Sequence, residues 1–176
     1  ITSMDLSAVR AYPGVVAVIT LADVPGYTDI GPVFPGDPVL ASELVEHIGQ
    51  PIFAVAATSH TAARKAARLA KVEYEPLHAV LSTQEALDTS FFVRPSHTQQ
   101  RGDPDKALAS APHRLKGEIN VGGQEHFYLE GQVAMVEPLE DGGMFVHTSS
   151  QHPSEVQKLV AEVLGLPIHA VQAEVR

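Results

Sequence analysis

The segment PSEVQKLVAEVLGLP, Pro153 to Pro167, limits the possible folds more than any other part of the chain. Val156, Leu159, Val160, Val163 and Leu164 stand at i, i+3, i+4, i+7 and i+8, the spacing that lines one side of an α-helix. Pro153 suits the first helical position, and Gly165 followed by Pro167 supplies a stop. One face of this helix is therefore core, and an amphipathic helix needs a sheet or other helices to cover it.

Strand patterns lie nearby. Val133–Pro138 and Met144–Thr148 read as strands joined by a hairpin turn at Asp141-Gly142, and Leu115–Leu129 reads as another. AVQAEVR, Ala170 to Arg176, alternates like a strand. In the first half, DLSAVRAYPG fits a short helix with Asp5 as its N-cap, and VVAVIT, Val15 to Thr20, a buried strand. PIFAVAATS (Pro51–Ser59), the alanine-rich stretch capped by Ser59, and KVEYEPL (Lys71–Leu77) form a strand-helix-strand unit. Seven prolines and glycines between Ala22 and Pro38 predict a long loop. Strands alternating with helices, plus a hairpin, indicate an α+β fold.

DTSFFVRPSHTQQRG, Asp88 to Gly102, is polar and irregular and marks a domain boundary, with Phe91 and Phe92 expected to anchor the linker. Asp103 and Pro104 then open a short capped helix. The expected domains are 1–98 and 99–176. Because the chain starts at Ile1 and ends on a strand pattern, it reads as a fragment.

Twelve basic against 21 acidic residues, a formal net charge of −9, disfavour a nucleic-acid partner. With no cysteine, the chain has no disulfide, thiol nucleophile or thiolate ligand for zinc or an iron-sulfur cluster. Apolar runs such as VVAVITLA are far shorter than the ~20 residues that span a bilayer, so no membrane association and a cytoplasmic location are expected. The basic residues Arg64, Lys65, Arg68 and Lys71 read as a solvated helix face opposing the helix dipole.

Chemistry concentrates in NVGGQEHFYLEGQ, Asn120 to Gln132. As a strand, it turns Gln124, His126, Tyr128 and Glu130 to one side. His126 and Glu130 would then lie roughly 13 Å apart, too far to share an ion. Adjacent glycines in a strand mark a bulge or a close approach by a ligand, and a glutamine just after them can donate its amide N–H to a bound oxygen. The plain alternative is a strand with one wet face. Nine histidines show no H-x-x-x-H or H-x-H pair, which weakens a zinc hydrolase built on His126 with Glu130, or on His147 with His152. HTSSQHPSE, His147 to Glu155, reads as strand-to-helix capping ahead of an anion site.

GGQEHFYLEGQ, followed by TSSQHPSEVQKLVAEVLGLP, resembles the molybdenum-binding subunit of the xanthine dehydrogenase and aldehyde oxidase family, the molybdenum hydroxylases. PGVVAVITLADVPGYTDIGPVFPGDPVLA, GQPIFAVAATSHTAARKAARLAKVEYEPL and GDPDKALASAPHRLKGE extend the likeness over nearly the whole chain. His78 departs from it, standing where relatives often have proline.

The resemblance implies a truncated α/β-hammerhead domain with its linker over 1–98, and the opening part of a molybdopterin-binding domain over 99–176. It implies hydroxylation of a purine or aldehyde carbon, such as hypoxanthine and xanthine to urate, at a pterin-held molybdenum with water as oxygen source. A glutamate acts as base. Electrons leave through [2Fe-2S] clusters to FAD on a partner subunit, in an oligomeric parent. By position, Gln124 is the cofactor contact, beside an oxygen ligand of the molybdenum, with Gly122 and Gly123 shaping its approach. The family's glycine-rich loop, base glutamate and main substrate residues fall past Arg176. The resemblance thus leaves no catalytic residue within this chain, and the isolated chain is expected to be inert. A non-catalytic scaffold or subunit-interaction module is the alternative.

Overall fold

The computed structural model describes residues 1–129 and 131–175. Its contacts fall into two units, Ile1–Glu75 with Leu129–Arg176, and Pro76–Tyr128.

The N-terminal part of the first unit runs β1 (Ser3–Asp5), α1 (Ser7–Arg10), β2 (Val15–Ile19), β3 (Ala54–Ala57), α2 (His60–Ala67) and β4 (Lys71–Glu73). β1 pairs antiparallel with β4, and β2 with β3. The expected strand-helix-strand unit is present, but β3 and β4 join different ladders. Each finds an antiparallel partner in the segment around α1, and β1 was not anticipated because three residues carry no periodicity.

Leu6 and Val9 of the first helix meet Ala66 of α2, and Met4, Tyr12, Val15, Val18, Phe53, Val55 and Ala70 close over them. Ser59 caps α2 as expected, accepting from the Ala62 N–H at 3.1 Å. Asp5 does not cap α1. Its carboxylate accepts from the Ser7 N–H at 2.9 Å one position too early, and Leu6 takes the cap position. Arg64, Lys65, Arg68 and Lys71 are exposed.

The proline- and glycine-rich stretch is a loop, apart from a 3-10 turn at Leu21–Asp23 and a bridge between Asp29 and Pro38. Asp29 organises it. Its carboxylate accepts from the N–H groups of Gly31 (2.8 Å), Gly36 (2.6 Å) and Asp37 (3.2 Å). These backbone donors, Gly31 foremost, hold the Asp29 carboxyl below its ordinary value of 3.8.

The C-terminal part of the unit is a three-stranded sheet, β5 (Ala134–Pro138), β6 (Met144–Thr148) and β7 (Val171–Val175), with α5 (Pro153–Leu164) between the last two. The β5–β6 hairpin is antiparallel, and β6–β7 is parallel, as a helical crossover requires. Val146 and Val171 are buried against Ala161 of α5, with Met144, Val156, Val160 and Leu166 around them. The helix legible from the sequence thus covers one face of this sheet.

In the second unit, α3 (Thr83–Asp88) and α4 (Pro104–Ser110) are short helices capped by Ser82 and Asp103. No residue of 76–128 is buried. Phe91 and Phe92 do not anchor a linker, being 68% and 48% exposed. The Phe91 N–H instead closes α3 on the Ala86 carbonyl at 2.9 Å. α3 was not anticipated, because its six residues carry too short an apolar pattern.

Candidate functional site

Gln124 lies in the stretch 115–129, which forms no helix and joins no ladder among the described residues. The strand expected over Leu115–Leu129 is thus corrected. An isolated strand leaves its N–H and C=O groups unpaired. The central strand β6 has β5 on one edge and β7 on the other, so it offers this stretch no edge. Its alternating apolar residues face solvent, with Leu115 at 105% and Leu129 at 98% exposure.

Gly122 and Gly123 form no bulge, since no ladder runs through them. Neither has a positive φ, and a Cβ added at either would meet nothing within 4 Å. Among the described residues, therefore, nothing stands where a side chain at either would go. Gln124 is exposed. Beyond it, Phe127 adopts φ 52°, an unusual conformation for an aromatic residue, and its N–H leans on Glu125 Oε1 at 3.4 Å. That kink breaks the simple alternation of faces expected for Gln124, His126 and Tyr128. The His126–Glu130 pairing lies outside the described residues, because Glu130 does.

The stretch is fastened where it enters the sheet. Ser149 Oγ donates to the Gly131 carbonyl at 2.8 Å, and the Ser149 N–H to the Val133 carbonyl at 3.3 Å. HTSSQHPSE proves to be capping: Ser150 Oγ accepts from the His152 N–H at 3.1 Å, and His152 Nδ1 from the Glu155 N–H at 3.1 Å. His147 turns instead to Glu137, 3.3 Å away across the hairpin, and stacks edge-on to Phe145. The two histidines thus serve separate local contacts. Among the described residues no three His, Asp or Glu side chains converge as a metal would require.

Sequence reasoning missed the shallow depression of about 250 Å³ on the open face of this sheet, lined by Val133, Met135, His147, Thr148, Ser149 and Glu174. Alternation along β6 could have put His147 and Phe145 on that face, but the parallel partner Glu174 could not be read from local pattern. No helix among the described residues is long and apolar enough to cross a membrane.

Residues 1–78 match the a/b hammerhead domain of aldehyde oxidase and xanthine dehydrogenase, and residues 84–176 match the molybdopterin cofactor-binding domain. Xanthine dehydrogenase of Drosophila pseudoobscura pseudoobscura is 41% identical over 97% of this chain, which covers 13% of that protein. Aldehyde oxidase 2 of Cavia porcellus is 38% identical over 100% of the chain, again covering 13% of the relative. The aldehyde oxidoreductase structure from Desulfovibrio gigas superposes with a TM-score of 0.81 at 27% identity, covering 100% of this chain and 21% of that one. The chain therefore spans a small part of the length of its relatives. With both domains matched in the order in which the fold presents them, the chain belongs to the molybdopterin cofactor-binding family of oxidoreductases, the molybdenum hydroxylases of the xanthine dehydrogenase and aldehyde oxidase type.

Proposed function

We propose that this chain contributes the hammerhead domain and the first part of the molybdopterin-binding domain to a xanthine dehydrogenase, which hydroxylates hypoxanthine and xanthine to urate with oxygen from water. The observation that carries this reading is the 41% identity to a xanthine dehydrogenase over nearly the whole chain. The domain junction is taken at 98/99, shortly before Asp103 caps α4.

The residues present fit one polar contact to the cofactor. Gln124 offers an exposed amide with two N–H donors, and the bare backbone at Gly122 and Gly123 leaves room beside it. Its neighbour Glu125 is turned toward the Phe127 N–H. When bound, the molybdenum-pterin group supplies the redox chemistry. This chain's part is to hold the Gln124 donor toward an oxygen ligand of the metal and to keep the approach clear of side chains. The base, the FAD and the [2Fe-2S] clusters come from outside the chain, in keeping with its lack of cysteine. Assembly with an FAD and iron-sulfur subunit in a cytoplasmic oligomer completes the reading. The exposed apolar residues of 76–128 also favour a second one, a scaffold that binds neighbouring subunits.

Full-length protein assayed with hypoxanthine, xanthine and aromatic aldehydes in ¹⁸O-labelled water decides the substrate. The expected result is urate carrying the label and far slower aldehyde oxidation. Oxidation of aldehydes alone would replace the purine assignment, and no oxidation by a molybdenum-loaded protein would leave the scaffold reading.

A further inference from the structure

The last turn of α5 cannot satisfy its own carbonyls. The Val163 carbonyl should accept from the N–H four residues on, but that residue is Pro167, which has none. The Leu166 N–H, the corresponding donor for Glu162, is drawn to the Ala161 carbonyl at 2.9 Å by the left-handed turn at Gly165, φ 66°, which leaves Glu162 only the longer bond from the Gly165 N–H at 3.2 Å.

The hammerhead domain supplies the donor that Val163 lacks and a second, shorter one for Glu162. The Gly26 N–H donates to the Val163 carbonyl and the Tyr27 N–H to the Glu162 carbonyl, each at 2.9 Å. Only glycine can make this approach. A Cβ on residue 26 would overlap the Glu162 carbonyl oxygen and stand 2.7 Å from Gly165 N and 2.8 Å from the Val163 carbonyl oxygen. Pro25, with its fixed φ, leads the chain into the contact, and its carbonyl lies 3.8 Å from where a Cβ on Gly165 would be.

We infer that Pro25-Gly26-Tyr27 is an interdomain latch: the hammerhead domain supplies the C-terminal cap of α5 in the cofactor-binding domain, so that the two domains open as one cooperative unit. α5 covers Val146 and Val171, so loosening its last turn exposes the core of the β5–β7 sheet.

Amide hydrogen exchange on the full-length protein tests the latch. In the unsubstituted chain the Gly26 and Tyr27 amides, although in a loop, should exchange as slowly as those of Val163 and Leu164. In Gly26→Val, protection should fall by about tenfold or more across 134–148 and 156–166, because two bonds worth about 1 kcal/mol each are lost and tenfold corresponds to 1.4 kcal/mol. Protection in β2, β3 and α2 should fall less. Loop-like exchange at Gly26 and Tyr27 in the unsubstituted chain overturns the latch, and this measurement stands even if the variant does not fold. Unchanged protection of α5 in a folded Gly26→Val does the same.

Discussion

In the full-length enzyme, Gln124→Ala lowers turnover per bound molybdenum by about 10²-fold, the usual effect of removing one positioned donor near developing charge. The loss falls on kcat more than on KM, because the amide acts on charge that grows as the reaction proceeds. Folding should not change, since Gln124 is exposed and surface truncations away from caps cost within about 0.5 kcal/mol. Steady-state kinetics normalised to molybdenum content, beside a melting curve, separate the two effects. Unchanged turnover removes Gln124 from the cofactor contact, and a lowered melting temperature with proportionate loss of activity makes its role structural.

Val171→Asp acts in the opposite way, on folding rather than chemistry. Val171 is fully buried at the start of β7, between Met144 of the central strand and α5. A carboxylate there is taken from water into a cluster of apolar side chains, and it either stays neutral at a large cost or opens the sheet. Several kcal/mol of destabilisation is expected, enough to unfold a domain of ordinary stability, which is on the order of 5–15 kcal/mol. The neighbouring Gln172 points to the other face and is exposed, so Gln172→Asp should cost within about 0.5 kcal/mol. Denaturant melts of the pair test the register directly. Equal stability of the two variants would mean that β7 is not the strand described here.

These two residues also show how legible the chain was. Val171 and the face of α5 opposite it follow from alternation and helical spacing, because a buried face imposes its period on the sequence wherever both elements are present. The hairpin at Asp141-Gly142 was legible for the same reason, its turn residues being dictated by backbone geometry. Gln124 was marked by its glycine neighbours and by family resemblance, yet the strand read around it is absent. Leu115, Ile119 and Val121 have the alternation of a paired strand, but alternation states only that a face wants cover, and no edge here supplies it. Asp5 looked like a cap and bonds one residue early, a shift too small for composition to reveal. The contact of Gly26 with α5 joins positions well over a hundred residues apart, and no local pattern carries such information. Its only sequence trace is Pro167, placed where the helix needed a donor.

The central claim is that this chain is part of a molybdenum-pterin oxidoreductase, and the most direct test is the metal content of the purified full-length protein. Elemental analysis should find molybdenum approaching one atom per chain, with the pterin released on denaturation. A fully folded protein without molybdenum but with stoichiometric zinc would contradict the account and return the histidines and Glu130 to consideration as ligands.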